Sequence, residues 1–123
     1  MTTALIIEDN EDNMVLISFI MKQAGYELIE ARTGEEGVDL ALSCRPDVII
    51  LDIQLPGIDG NEVLRRIRAS ETGGSIPVVA MTSFAMTGDR ERLLAAGCNG
   101  YIKKPIDPER VIEQIQDAVE GKS

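Results

Sequence analysis

Residues 46–60 read Pro46-Asp47-Val48-Ile49-Ile50-Leu51-Asp52-Ile53-Gln54-Leu55-Pro56-Gly57-Ile58-Asp59-Gly60. Four consecutive aliphatic side chains leave a strand no wet face, so Val48 through Leu51 must be covered on both sides. That is the pattern of a parallel strand between two layers of helices. The run ends in a carboxylate, Asp52, followed at once by turn residues. In open parallel sheets ligands bind beyond the carboxyl ends of the strands, so Asp52 stands where chemistry is expected.

Working outward, short aliphatic runs at 4–7, 27–31, 78–81 and 100–102 predict four further strands. Helix-period segments alternate with them. Asn13, Leu16, Ile17, Ile20 and Ala24 form the predicted core stripe of a first helix. Val38, Ala41 and Leu42 mark a second, and Val63, Leu64 and Ile67 a third. Leu93 and Leu94 mark a shorter fourth, and Val111, Ile112, Ile115 and Val119 a fifth. Gly25, Pro46 and Gly97 close the first, second and fourth helices, Gly97 in a left-handed cap. The fold expected is α/β, a doubly wound (βα)₅ three-layer sandwich of flavodoxin type around a parallel five-stranded sheet.

The 123 residues fit one domain, 1–123, with no room for an output domain. Lys and Arg number 12 against 21 Asp and Glu, a formal charge of −9, which argues against nucleic acid and anionic membrane as partners. No apolar run has the length of a signal peptide or membrane span, so a cytoplasmic location is expected. Cys44 and Cys98 are expected as buried or half-buried free thiols. The chain has no histidine, which excludes a Ser-His-Asp triad, a histidine zinc site and an imidazole base of its own.

The predicted strand ends bring together Glu8-Asp9, Asp52, Thr82-Ser83 and Lys103-Lys104-Pro105. Three clustered carboxylates repel one another unless a cation or a shared proton neutralises them, and magnesium is a hard ion suited to such oxygen ligands. A carboxylate nucleophile, a hydroxyl and an ammonium beside a divalent cation suit phosphoryl transfer.

Four ordered motifs, residues 5–10, 46–60, 77–83 and 97–105, resemble the receiver domain of two-component response regulators, the CheY-like family, over essentially the whole chain. The resemblance implies strand order 2-1-3-4-5. It implies that Asp52 is the phosphoacceptor, forming a 4-aspartylphosphate from a partner's phosphohistidine. It further implies that Mg²⁺ is held by Asp9 and Asp52 directly, by Glu8 through water and by the Gln54 backbone carbonyl. Thr82 corresponds to the switch hydroxyl, Lys104 to the phosphoryl-contacting ammonium and Tyr101 to the aromatic switch, with a cis bond before Pro105. The side chains two after Asp52 and two after Thr82, neutral Gln54 and bulky Phe84, are read as influencing how readily water attacks the acyl phosphate, with Phe84 shielding the phosphoryl group.

The partners so implied are a histidine kinase, a histidine phosphotransfer protein or both, and a downstream protein target. The chain itself is read as a monomer or weak phosphorylation-dependent dimer. Asn10, Asn13, Met14, Val15 and Met21 are read as the donor-docking face. Met86, Arg90, Tyr101, Lys103 and Ile106 are read as the phosphorylation-sensitive output surface. The segments 8–13 and 82–86 look like single-domain cell-division receivers of DivK type and like receivers of hybrid kinases, with chemotaxis a more distant reading. The competing enzyme class, a haloacid-dehalogenase-like aspartyl phosphatase, normally carries a second Asp two residues after its nucleophile, where this chain has Gln54.

Overall fold

The computed structural model describes residues 2–71, 73–83 and 89–121, with Asp89 and Arg90 described by their backbone. Elements alternate as β1 (Thr3–Ile7), α1 (Glu11–Gln23), β2 (Glu27–Ala31), α2 (Gly34–Cys44) and β3 (Val48–Asp52). They continue with α3 (Gly60–Ala69), β4 (Val78–Thr82), α4 (Asp89–Ala95), β5 (Gly100–Lys103) and α5 (Val111–Glu120). All pairings are parallel, in the order β2-β1-β3-β4-β5. Strand direction reverses its spatial progression at β1, so the carboxyl ends of β1 and β3 flank a crevice.

Every residue of β3 and β4 is buried, as their unbroken aliphatic runs require. Leu5, Ile7, Ile49, Leu51, Val78 and Ala80 face α2, α3 and α4 through Ala41, Val63, Leu64, Ile67 and Leu93. Ala4, Ile6, Val48, Ile50, Val79 and Met81 face α1 and α5 through Met14, Ile17, Met21, Val111, Ile115 and Ala118. The dry alternate faces of one sheet thus seed two cores.

Each of the first three helices starts on a polar cap. The side chains of Asn10, Thr33 and Asp59 accept from the backbone N–H of Asn13, Glu36 and Glu62, respectively, at 3.0, 3.1 and 3.0 Å. Gly97 follows α4 at φ +116°, as its cap role predicts, whereas α2 ends on Arg45 in the left-handed region at φ +48° just before Pro46. Proline disfavours the α conformation in the residue before it, so the turn falls on Arg45. Cys98 is a buried free thiol as expected, whereas Cys44, the last residue of α2 and past the last one that the helix buries, is an exposed one, against expectation. Burial pushes the Cys98 thiol up to about 11, so it stays protonated.

Helix α1 departs from the predicted stripe. Met14, Ile17, Ser18 and Met21 are its buried residues, while Leu16 is 37% and Phe19 62% exposed. The helix carries apolar side chains almost all round, so periodicity alone leaves its rotation open. Ser18 tolerates burial because its hydroxyl donates to Glu30 Oε2 at 2.9 Å. On α5, Ala118 is buried where Val119 was expected, and Val119 is 39% exposed. Among the described residues no helix is long and apolar enough to cross a membrane.

Candidate phosphoryl-transfer site

The carboxyl ends of β1, β3, β4 and β5 deliver Glu8, Asp52, Thr82 and Lys104 to one point. Carboxylate oxygens of Glu8, Asp9 and Asp52 lie within 4.8 Å of one another. Lys104 Nζ is 3.1 Å from Asp52 Oδ1 and 3.2 Å from Glu8 Oε1. The backbone of β5 continues the β4 ladder here, with Lys104 N donating to Thr82 O at 2.9 Å, and the Lys104–Pro105 peptide bond is cis. Glu8, Asp52 and Thr82 are buried, whereas Asp9 is exposed.

The loop after Asp52 folds tightly back because Gly60, the first residue of α3, packs on the strand end. A Cβ there would collide with Ile53 Cα and stand 2.7 Å from the Asp52 carbonyl oxygen. Only glycine permits that approach. The Gln54 amide then donates to Asp52 Oδ1 at 2.9 Å.

The electrostatics distinguish the two buried carboxyls. Burial, followed by the hydrogen bond and charge of Asp52, lifts Glu8 from 4.5 to about 7, against the smaller pull of Lys104 and the Asn10 amide. Burial also opposes ionisation of Asp52, but hydrogen bonds from a protonated Glu8, the Gln54 amide and Lys104 outweigh it and hold Asp52 below the usual range. The pair therefore tends to share one proton, with the charge on Asp52.

Ionised Glu8 is poorly accommodated. Its buried Oε1 has no hydrogen-bond partner among the described residues, since Lys104 Nζ approaches without hydrogen-bond alignment. A buried oxygen lacking a donor, beside two further carboxylates, fits the charge and hard-oxygen preference of Mg²⁺.

The structure thus brings Glu8, Asp9, Asp52, Gln54, Thr82 and Lys104 to one rim. Lys103 is exposed, and Tyr101 is half-buried against the α2–α3–α4 core. The donor-docking face needs correction: Met14 and Met21 are 1% and 0% exposed, locked into the α1–α5 core by the rotation of the helix. Asn10 spends its side-chain oxygen capping α1. Val15, at 58% exposure, remains on the surface and is joined by Leu16 and Phe19, which the sequence reading had not placed there. Ile106 is 8% exposed, so it packs in the core instead of on an output surface. Phe84, Met86 and the Arg90 side chain lie outside the described residues.

Comparison with known proteins agrees with this geometry. The protein-family model for the response regulator receiver domain matches residues 4–116. The chain belongs to this family. It is 46% identical over 114 residues to the polar-differentiation response regulator DivK of Brucella anthropi and of Brucella abortus, covering 93% of the chain and of each relative. The receiver domain of sensor histidine kinase PA1611 from Pseudomonas aeruginosa superposes with a TM-score of 0.88 at 34% identity, covering 97% and 98% of the two chains. That receiver was crystallised with a magnesium ion coordinated in its active site cleft. The chemotaxis protein CheY4 of Vibrio cholerae superposes at 0.90 with 27% identity, covering 96% and 98%. The protein is the receiver domain of a two-component response regulator, a signalling domain with the CheY-like order of strands.

One feature of the site had no clear signal in the sequence. Gln54, expected to contribute its backbone carbonyl and a neutral side chain beside the phosphoryl group, extends that side chain across to the end of β4.

Proposed function

We propose that Asp52 accepts a phosphoryl group from the phosphohistidine of a partner protein. The observation that carries this reading is the junction of an ionised, buried Asp52 with Lys104 Nζ at 3.1 Å and two further carboxylates within 4.8 Å. An Asp52 carboxylate oxygen attacks phosphorus, the phosphorus–nitrogen bond breaks, and the imidazole leaves with its electron pair and takes up a proton. The product is a mixed anhydride on Asp52.

Glu8, Asp9, Asp52 and the Gln54 carbonyl are the residues that would hold Mg²⁺, which when bound neutralises charge on the transferring phosphoryl oxygens. Lys104 pairs with one phosphoryl oxygen, and the Thr82 hydroxyl donates to another. Moving Thr82 inward frees space beside Tyr101, so phosphorylation favours one conformer of the surface around β5, and a downstream protein reads that conformer.

The donor docks on Val15, Leu16 and Phe19, which cover a sector of about 100° on α1 at 100° per residue, beginning about one turn from the rim. A donor histidine must reach a site only 2% exposed, so the donor's own helix has to lie against the surface next to it. Likeness to polar-differentiation regulators supports output by protein binding in cell division or differentiation. Likeness to a sensor kinase's receiver supports the neighbouring reading of hybrid-kinase signalling. The location proposed is cytoplasmic.

Incubation with acetyl phosphate and magnesium, followed by intact mass, tests the site. One acid-stable, base-labile phosphoryl group per chain is expected, and none on Asp52→Asn. Stoichiometric labelling of Asp52→Asn would overturn the assignment. Phe19→Glu should slow transfer from a phosphohistidine protein and leave labelling by acetyl phosphate unchanged.

A further inference from the structure

The Gln54 side chain links two parts of the site, the loop after β3 and the end of β4. Its Oε1 accepts from Ser83 N at 2.8 Å and from Ser83 Oγ at 2.7 Å, and Thr82 Oγ1 stands 3.4 Å away. Its backbone amide meanwhile donates to Asp52 Oδ1 at 2.9 Å. One residue therefore grips the phosphoacceptor through its main chain and the end of β4 through its carboxamide.

A hydroxyl has one proton to donate, so Thr82 cannot remain turned to Gln54 Oε1 and also serve a phosphoryl oxygen. Ser83 is the next residue along the same backbone, and its two donors converge on the same acceptor. A shift of the end of β4 that carries Thr82 and Ser83 together toward Asp52 stretches or breaks both. We propose that the Gln54 carboxamide is a positioning residue: a latch that holds Thr82–Ser83 in the resting arrangement and opens before a phosphoryl group is fully bound. The proposal rests on the roles given above to Asp52 and Thr82.

Side-chain chemistry at 54 suits the role. Asn would be one methylene shorter and fall short of Ser83. Glu would keep the acceptor but add a carboxylate to a rim that already holds three. A ligand that binds only the unlatched arrangement has its apparent affinity reduced by the small fraction unlatched, so removing the latch tightens binding. Simple damage to the site would weaken it.

Two measurements on the full chain test this. In metal-free protein, hydrogen exchange by NMR should find the Ser83 amide protected in wild type and in Ser83→Ala, whose backbone N–H is retained. That protection should be lost in Gln54→Met, which has the length of Gln but no acceptor oxygen. Titration with beryllofluoride and magnesium should then show Gln54→Met binding about three- to tenfold tighter than wild type, the gain expected from losing one or two net hydrogen bonds of the resting state. Ser83→Ala should tighten binding about twofold, and the double variant no further than Gln54→Met alone. Unchanged Ser83 protection in Gln54→Met, or unchanged or weaker beryllofluoride binding, overturns the latch. Failure of the parent reading shows separately, as wild type and Asp52→Asn responding alike to beryllofluoride, and the exchange measurement then decides the latch on its own.

Discussion

At the amino end of the sheet, the Arg68 guanidinium donates Nε to Gly97 O at 3.0 Å, Nη1 to Gly73 O at 2.8 Å and Nη2 to Asn99 Oδ1 at 2.8 Å. Asn99 Oδ1 accepts a second bond from Val78 N at 2.9 Å. At the carboxyl end, Glu8 Oε1 is buried without a hydrogen bond among the described residues, and of three clustered carboxylates Glu8 and Asp52 share one lysine. Both ends bury ionisable groups, but only the amino end satisfies them. A polar network with its donors matched to acceptors ties loops together, and here it fastens the segments that lead into β4 and β5. A cluster left short of positive charge is costly in the resting chain and becomes favourable when a cation arrives. Substitutions at the two ends should therefore separate function from stability.

The largest effect is expected at Asp52. Asp52→Asn should reduce phosphoryl acceptance to background, while the melting temperature of the metal-free protein changes little, since Asn keeps an acceptor for the Gln54 amide and the lost pairing with Lys104 is offset by weaker repulsion from Glu8 and Asp9. A melting temperature well below wild type would break the contrast between the ends.

Next comes pH. The folded state raises Glu8 from 4.5 to about 7, so between these values it binds more protons than the unfolded chain. Glu8's contribution is fully present below pH 4.5 and is lost as pH rises to about 7, up to about 3 kcal/mol in metal-free protein. Urea denaturation across that range should show the decline, and Glu8→Gln should flatten it. A wild-type slope no steeper than that of Glu8→Gln would refute the assignment of strain to this carboxyl.

Arg68→Met should cost about 2 kcal/mol by leaving the Gly73 and Gly97 carbonyls and Asn99 short of donors. Its extent of labelling by acetyl phosphate should match wild type. Loss of labelling in a folded Arg68→Met protein would show that the amino end is no mere fastening.

The smallest effect belongs to exposed charge. Glu62 is held down at about 2 by hydrogen bonds from Arg65 and Arg66, so its contribution is present above pH 4.5 and fades as pH falls through about 2. Glu62 is half-exposed and its arginine partners lie out in solvent, at 68% and 42% exposure, so Glu62→Gln should shift the pH 7 melting temperature least of the set. High salt should remove the difference.

These contrasts follow how the fold could be read. The strands were legible because β3 and β4 are aliphatic throughout, and the site was legible because chemistry-bearing residues stand at their ends. Predicted and observed strands differ only by single terminal residues, such as Asp52, Thr82 and Lys103. Helix α1 was not legible. Met14, Val15, Leu16, Phe19 and Met21 are all apolar, and no local rule says which of them turn inward. The Gln54 contact was hidden for a different reason, since Ser83 lies 29 positions along the chain.

By itself, then, the order of residues determined that a parallel sheet forms and that Glu8, Asp9, Asp52, Thr82 and Lys104 end its strands, because burial on two faces and the direction of parallel strands are properties of local pattern. Only the tertiary structure decided the rotation of α1, which buries Met14, Ile17 and Met21 and sets Ser18 against Glu30 on β2. It alone placed Gln54 against Ser83 and turned Arg68 into a fastening, because each depends on a partner far along the chain that packing brings within hydrogen-bond distance.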